Sequence, residues 1–222
     1  YTKSITMTKR NKHHDNALET MLNGLMTRYK ERVSDVDTII NAMIQHNLIN
    51  NEHDIINDHI AFRTFGLPNL GIQSLEKIML AYGYTKKDFY RFETKKLTAY
   101  WYSPPKDIAN LPRLFISQCE VNQLSKKTQN IIKHYTKHIT KDPVDKLNFE
   151  NGNEIDNFLH TPLWETPTWE DYEYVLNESE YAAWVLYNRY YLNHFTITIQ
   201  TLKKGYNTIE LFNHFLESIG IK

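Results

Sequence analysis

A short pattern that occurs twice constrains the fold of this chain more than any other sequence feature. The hexapeptides NDHIAF and LNHFTI align so that His59 and His194 occupy the same position. Alternating side chains predict a strand in each copy, and a turn then leads into one amphipathic helix that ends at Gly83 or Gly220. The intervals from His to Gly are similar, 83 − 59 = 24 and 220 − 194 = 26 residues. We therefore predict that one strand–helix module is used twice.

The residues that follow the first copy predict an α+β fold. The strand 58–65 closes at a turn containing glycine and proline, and the helix 70–81 follows it. Three short strands are then predicted at 88–93, 96–102 and 111–119. Each complete module is accordingly expected to read strand, helix, strand, strand, strand.

Most of the remaining chain is predicted to be helical. Apolar residues at intervals of three and four indicate two helices within 16–50, divided near Ser34, which is the predicted N-cap of the second helix. The later elements are a helix at 122–138, an irregular stretch at 139–169, a helix at 169–188, a strand at 191–201 and a helix at 208–218.

These elements suggest one globular domain with four parts. The parts are a helical N-terminal extension (1–56), the first module (57–120), a helical and irregular insertion (121–190) and the start of a second module (191–222). The second copy stops at Lys222, just where its second strand should begin. We therefore expect the second module to be truncated in this chain.

Composition excludes several functional classes. The 26 basic and 26 acidic residues cancel, so no overall charge attracts nucleic acid or anionic lipid. The mean hydropathy is −0.57, and no apolar run approaches the roughly 20 residues of a membrane-spanning helix. The single Cys119 cannot form an internal disulfide, which favours a reducing compartment, either cytoplasm or an organelle matrix such as that of a mitochondrion or plastid. The basic residues within 1–14 resemble the end of a transit peptide, although a flexible basic terminus would look the same.

The two equivalent histidines indicate a metal site. A single histidine in a strand is more often a core or turn residue, but the repeat should bring both imidazoles to the shared axis of a paired sheet. Neutral imidazoles suit iron or zinc, and a carboxylate from elsewhere would complete a facial triad.

Arg63 is the candidate substrate-binding residue. It lies four residues after His59, so the two side chains share one face of the strand about 13 Å apart. At that range a guanidinium can hold the far carboxylate of a substrate whose near end chelates the metal. A structural ion pair would explain the same spacing equally well.

Five segments together resemble the 2-oxoadipate dioxygenase/decarboxylase family, whose members are also called 2-hydroxyglutarate synthases. The segments occur in the family's order from residue 57 to the C-terminus, and five co-linear blocks are more specific than any single motif. They are NDHIAFRTFG, KKLTAYWYSPP, LPRLFISQ, ESEYAAWVLYN and LNHFTITIQTL.

The resemblance implies a vicinal-oxygen-chelate-like fold and a non-haem Fe(II) centre. It implies that His59 and His194 are metal ligands and that Arg63 binds the substrate carboxylate, with no catalytic residue beyond the metal ligands. The family's third ligand is a Glu, which we expect beyond Lys222. The implied reaction converts 2-oxoadipate and O2 to 2-hydroxyglutarate and CO2, a step of lysine catabolism.

Two alternatives remain open at this point. The chain could belong to a catalytically degenerate family member that serves as a structural or assembly subunit of a larger complex. Protein partners would then cover the sheet edge and the apolar helix faces that an incomplete second module leaves. A family enzyme that acts on a different 2-oxo acid is the other alternative.

Overall fold

A computed structural model describes residues 12–221 of the chain. The described strands form one sheet in the order β2-β3-β4-β1-β5. Strand β1 runs parallel to β4 and antiparallel to β5, whereas β3 is antiparallel to both of its neighbours. The strands are β1 (Asn57–Phe65), β2 (Thr85–Phe92), β3 (Leu97–Ser103), β4 (Arg113–Cys119) and β5 (Leu192–Ile197). The mixed sheet with accompanying helices confirms the predicted α+β class.

Helices account for most of the remaining described residues. They are α1 (Lys12–Arg32), α2 (Asp35–Gln45), α3 (Ile72–Ala81), α4 (Lys126–Thr136), α5 (Gly152–His160), α6 (Trp169–Glu178), α7 (Glu180–Asn188) and α8 (Ile209–Ser218). Helices α3 and α7 pack on the sheet. Within residues 12–221, no helix is both long enough and apolar enough to cross a membrane. The basic N-terminal segment lies outside the described residues except for the start of α1.

The two faces of the sheet differ because side chains alternate along each strand. On one face, Ile60 and Phe62 of β1 lie in the main core with Leu114 of β4 and Leu75 of α3. The opposite face carries His59 and Arg63, together with Phe115 and Ser117 of the neighbouring strand. The candidate functional residues therefore lie on the face away from α3.

A second apolar cluster lies apart from the main core. It joins Met43 of α2 and Leu48 to Phe212 and Phe215 of α8. The helix of the second copy therefore packs in this smaller cluster, whereas the helix of the first copy packs in the main core.

The predicted irregular stretch 139–169 contains a helix that the sequence did not reveal. Helix α5 includes one glycine and two asparagines, which disfavour a helix, but it packs along α1 with Ile155 and Leu159 fully buried. Gly152 allows this close approach, since a Cβ there would lie 2.3 Å from the Ala17 carbonyl oxygen. Burial therefore outweighs weak intrinsic propensity.

Two predicted helix boundaries also differ from the structure. The segment 169–188 forms two helices, because Ser179 adopts an extended conformation and its hydroxyl accepts a hydrogen bond from the Ala182 N–H. Ser34 does precede α2, but its backbone is helical and its side chain makes no capping hydrogen bond. Ser34 therefore occupies the predicted N-cap position of α2 without capping it through its side chain. The division into four parts stays a prediction.

Candidate functional site

The two copies of the repeated pattern are neighbouring antiparallel strands. In the β1–β5 pair, His59 lies opposite Thr196 and Ala61 lies opposite His194. Because His59 corresponds to His194 and Ala61 to Thr196 in the repeat, these pairs are related by a local twofold axis. The imidazole centroids are 5.6 Å apart with an angle of 80° between the ring planes. The repeat thus brings together two histidines that are distant in the sequence.

Both imidazoles are hydrogen-bonded through Nδ1. The Nδ1 atom of His59 lies 2.9 Å from Oδ2 of Asp58 and 2.8 Å from Oγ1 of Thr196, and that of His194 lies 2.7 Å from Oδ1 of Asn193. Nδ1 of His59 carries a proton, because a bare nitrogen would face the lone pairs of a carboxylate. At His194 the amide oxygen of Asn193 is placed to accept a proton from Nδ1 in the same way. In the neutral rings Nε2 is therefore the atom with a free lone pair.

The electrostatic surroundings favour the neutral form of His194. Its partial burial, followed by the nearby His59 and Arg63, lowers the pKa of the His194 imidazole below its usual value. Neutral imidazole is the form that binds a metal ion. Within the described part of the chain, neither Nε2 atom makes a hydrogen bond.

These two imidazoles fit two positions of a metal centre. Histidine ligands to iron and zinc typically bind the metal through one ring nitrogen while the other ring nitrogen donates a hydrogen bond to the protein. Within residues 12–221, His59 and His194 do not belong to a group of three or more His, Cys, Asp or Glu side chains that could hold a metal ion. The Glu expected as the third ligand stays a prediction.

Arg63 lies on the same sheet face, and α7 fixes its guanidinium group. The Nη1 atom donates to Oε1 of Glu180 at 3.1 Å, and the guanidinium carbon lies 4.9 Å from the Tyr181 ring centroid and 5.3 Å from that of Trp184. The predicted alternative, an ion pair, is therefore present. Because the Glu180 side chain is 69% exposed, this ion pair contributes little to stability. Within residues 12–221, the remaining guanidinium donors make no hydrogen bond.

Arg63 and His194 line the same cavity, which has a volume of about 440 Å³. Lys95, Lys96 and Ser117 also line this cavity. His59 and Asp58 face an adjoining cavity of about 350 Å³, and Phe115 contributes to the walls of both. Glu178 and Glu180 line the larger cavity as well, so its three cationic side chains exceed its carboxylates by one. The cavity is large enough for a small organic acid and is lined by one histidine of the pair.

Tyr181 anchors α7 to the sheet beneath this cavity. Its hydroxyl lies 2.8 Å from Oγ of Ser117 and accepts a hydrogen bond from the Thr64 N–H at 3.3 Å. Burial raises the pKa of Tyr181, so the phenol stays protonated and can donate to Ser117. No pattern in the sequence predicts this contact.

Glu178 ties α6 to the N-terminus of α4. Its carboxylate accepts hydrogen bonds from the Ser125 N–H at 2.7 Å and the Thr128 hydroxyl at 2.6 Å, and it lies 3.6 Å from Nζ of Lys96. Partial burial would raise the pKa of Glu178, but these hydrogen bonds and Lys96 outweigh that effect and lower the pKa to about 2.

Cys119 does not supply a second reactive centre. Burial raises the pKa of its thiol to about 12, so the thiolate needed for nucleophilic attack is absent near neutral pH. His134 and His138 do not share a helix face, because α4 ends at Thr136, and Nε2 of His138 lies 2.9 Å from the Leu163 carbonyl oxygen.

The chain matches known proteins over most of its length. The family model described as 2-oxoadipate dioxygenase/decarboxylase matches residues 21–222. The chloroplastic 2-oxoadipate dioxygenase/decarboxylase of Arabidopsis thaliana is 42% identical over 174 residues, which are 74% of this chain and 45% of that protein. The chloroplastic/amyloplastic protein of the same name from Oryza sativa is 34% identical over 216 residues, 94% of this chain and 56% of that protein. The chain thus spans about half the length of these relatives.

Solved structures show the same fold. The hydroxyglutarate synthase from Oryza sativa, crystallised with 2-oxoadipate, has a TM-score of 0.82 and 32% identity, and the match covers all of this chain and 70% of that one. A glyoxalase superfamily protein from Ralstonia eutropha has a TM-score of 0.55 and 20% identity over 64% of this chain and 51% of that one, a likeness of fold alone. The vicinal-oxygen-chelate-like fold is confirmed.

Proposed function

Because this chain belongs to the 2-oxoadipate dioxygenase/decarboxylase family, we propose that it supplies part of the active site of a non-haem Fe(II) enzyme. The proposed enzyme converts 2-oxoadipate and O2 to 2-hydroxyglutarate and CO2, a reaction of lysine catabolism. The observation that carries the proposal is the convergence of His59 and His194, with both Nδ1 atoms hydrogen-bonded and both Nε2 atoms available.

In this proposal His59 and His194 hold the iron through Nε2. Bound Fe(II) supplies the redox chemistry that the side chains lack, namely the use of O2 in an oxidative decarboxylation and hydroxylation. Asp58 and Asn193 keep the Nδ1 protons in place, so the rings present the same atom throughout the reaction.

Arg63 binds the carboxylate at the far end of the substrate. Its planar group is positioned by the rings of Tyr181 and Trp184, and its unused donors can form a bidentate pair with a carboxylate. Lys95 and Lys96 add positive charge to the same cavity, and Glu178 and Glu180 offset most but not all of the total. The remaining positive charge favours a dicarboxylate over a monocarboxylate.

The first test measures iron content and turnover in the protein produced from its complete gene. We expect the double variant His59→Ala, His194→Ala to lose bound iron and at least about 1000-fold in the formation of 2-hydroxyglutarate, since both proposed ligands are removed. His53→Ala is the matched control, because His53 is exposed and lies in the short turn just before β1. Wild-type turnover by the double variant would contradict the proposal. A protein without iron that copurifies stoichiometrically with other chains would favour the alternative of a structural subunit.

A second test addresses the role of Arg63. Arg63→Lys keeps the charge but loses the planar pair of donors, so we expect the KM for 2-oxoadipate to rise by about tenfold or more, with a smaller change in kcat. An unchanged KM would restrict Arg63 to its ion pair with Glu180.

A further inference from the structure

We propose that Asp58 and Asn193 are positioning residues that make the two iron-binding imidazoles unequal. Asp58 increases the donor strength of His59, whereas Asn193 orients His194 without adding charge. This inference rests on the proposed iron site, and it concerns side chains that do not themselves touch the metal.

Asp58 and Asn193 lie at equivalent positions where the pairing of β1 with β5 shifts by one residue. Asn57 pairs with Ile197 and His59 with Thr196, so Asp58 is an extra residue on β1. On β5, Ala61 pairs with His194 and Phe62 with Leu192, so Asn193 is the extra residue. Each is thus the additional residue of a β-bulge, a feature that redirects a side chain and is frequent beside active sites.

These bulges explain an unusual contact. Side chains of consecutive residues normally point to opposite faces of a strand, yet Asp58 and Asn193 each reach the imidazole of the next residue. The oxygen-to-Nδ1 distances are 2.9 Å for Asp58 and 2.7 Å for Asn193. Because the repeat aligns the two residues, the same device occurs on both sides of the local twofold axis.

The chemical identity of the two oxygens breaks that symmetry. Nδ1 of His59 lies 2.9 Å from Oδ2 of Asp58 and 2.8 Å from Oγ1 of Thr196, and the anionic carboxylate is the stronger acceptor of the single Nδ1 proton. Asp58 therefore draws that proton and leaves more electron density at Nε2 of His59. The Asn193 amide is neutral and fixes only the orientation and the tautomer of His194. Arg113 moderates the charge of Asp58 only slightly, because its Nη1 atom is 3.7 Å from Oδ1 and the Arg113 side chain is 61% exposed.

The consequence is a prediction about metal affinity. Asp58→Asn makes the two copies alike and removes one negative charge next to the centre, so we expect the affinity for a divalent metal to fall by about 10- to 100-fold. Asn193→Asp adds a charge and should raise the affinity. The double variant Asp58→Asn, Asn193→Asp moves the carboxylate to the other histidine and should restore the affinity to within about threefold of the wild type.

The experiment titrates the metal-free protein from the complete gene with Co(II), followed by calorimetry and by the visible absorption of the bound ion. Asp88→Asn is the matched control, because Asp88 lines the same cavity as Asp58 but accepts its hydrogen bond from Nε1 of Trp101 at 2.8 Å. We expect Asp88→Asn to change the affinity by no more than about twofold.

The outcomes separate this inference from the proposed function. If the wild type binds no metal, the proposed iron site itself fails and the inference fails with it. If the wild type binds metal and Asp58→Asn behaves like Asp88→Asn, only the inference is overturned. A double variant that stays as weak as Asp58→Asn would also overturn it, since the carboxylate would then act through the local fold rather than through the imidazole.

Discussion

The two copies of the repeated pattern have the same local structure but different surroundings. Strand β1 lies between β4 and β5, and five of its nine residues are buried. Strand β5 ends the described sheet, and all but one of its six residues are half-buried or exposed. Helix α3 of the first copy packs in the main core, and α8 of the second copy packs with α2 in the smaller cluster. The local pattern therefore sets strand, turn and helix, while the neighbours decide how firmly each copy is held.

The first copy also has contacts that the second copy lacks. Helix α7 binds it through the Arg63–Glu180 ion pair and through the Tyr181 hydroxyl. The position that corresponds to Arg63 in the second copy holds Thr198, so the proposed carboxylate clamp belongs to one copy only. The histidine pair thus joins a firmly held strand to a more weakly held one.

The largest expected effect is on stability, and it compares substitutions at equivalent positions of β1 and β5. Phe62 is fully buried in β1, and the corresponding Ile197 in β5 is half-buried beside the smaller cluster. We expect Phe62→Ala to lower the free energy of unfolding by about 3–5 kcal/mol and Ile197→Ala by only about 1–2 kcal/mol, since less apolar surface leaves the core. Urea unfolding measures both values. Equal losses would show that β5 is integrated as deeply as β1.

A smaller expected effect concerns the charge of Glu178, the residue of α6 that binds the N-terminus of α4. The pKa of Glu178 is lowered to about 2, so its carboxylate stabilises the folded state above the unfolded pKa near 4.5, and this contribution is lost as the pH falls towards 2. We expect Glu178→Gln to destabilise the protein by about 1–2 kcal/mol at neutral pH, after allowance for solvent screening. The difference in the free energy of unfolding between Glu178→Gln and the wild type should shrink as the pH falls from 5 towards the pKa of Glu178 in the folded state.

Unfolding measured across that pH range provides the check. Glu93→Gln is the matched control, because Glu93 pairs with Arg91 on the surface and its side chain is 75% exposed. A pH-independent difference for Glu178→Gln would mean that its hydrogen bonds do not need the charge.

The smallest expected effect concerns Arg63, the proposed carboxylate-binding residue, which has no counterpart in the second copy. Glu180 occupies one donor of Arg63 in the absence of substrate, so Glu180→Gln should weaken this competition. We expect 2-oxoadipate to bind about two- to fivefold more tightly to the variant, with no change for 2-oxohexanoate, which lacks the distal carboxylate. Calorimetry measures both affinities, and Glu173→Gln on α6 is the exposed control. Weaker binding of 2-oxoadipate would show instead that Glu180 orients Arg63.

The sequence predicted the features that depend on periodicity and on the repeat. The order of strands and helices from residue 57 to 119 is confirmed, because alternating and helical apolar patterns are local properties. The approach of His59 to His194 also follows the expectation from the repeat, since equivalent strands can pair around a twofold axis.

The features that the sequence did not predict depend on contacts between distant segments. Helix α5 forms through burial against α1, although its composition disfavours a helix. The contacts of Tyr181 with Ser117 and of Glu178 with Thr128 require the tertiary arrangement of α6 and α7. The break at Ser179 did have a local signal, a serine followed by an acidic residue at the start of a helical pattern.

The pairing of β1 with β5 has a consequence for the folding of the chain. The two imidazoles meet only after β5 has docked along β1. Bringing these strands together closes the long segment of chain between them, and this loses conformational entropy before any contact between the strands forms. A partly folded chain with an undocked β5 would present one imidazole at most. A ligand that binds both rings therefore selects the fully docked state and stabilises it by mass action, so its affinity reports on the last stage of folding.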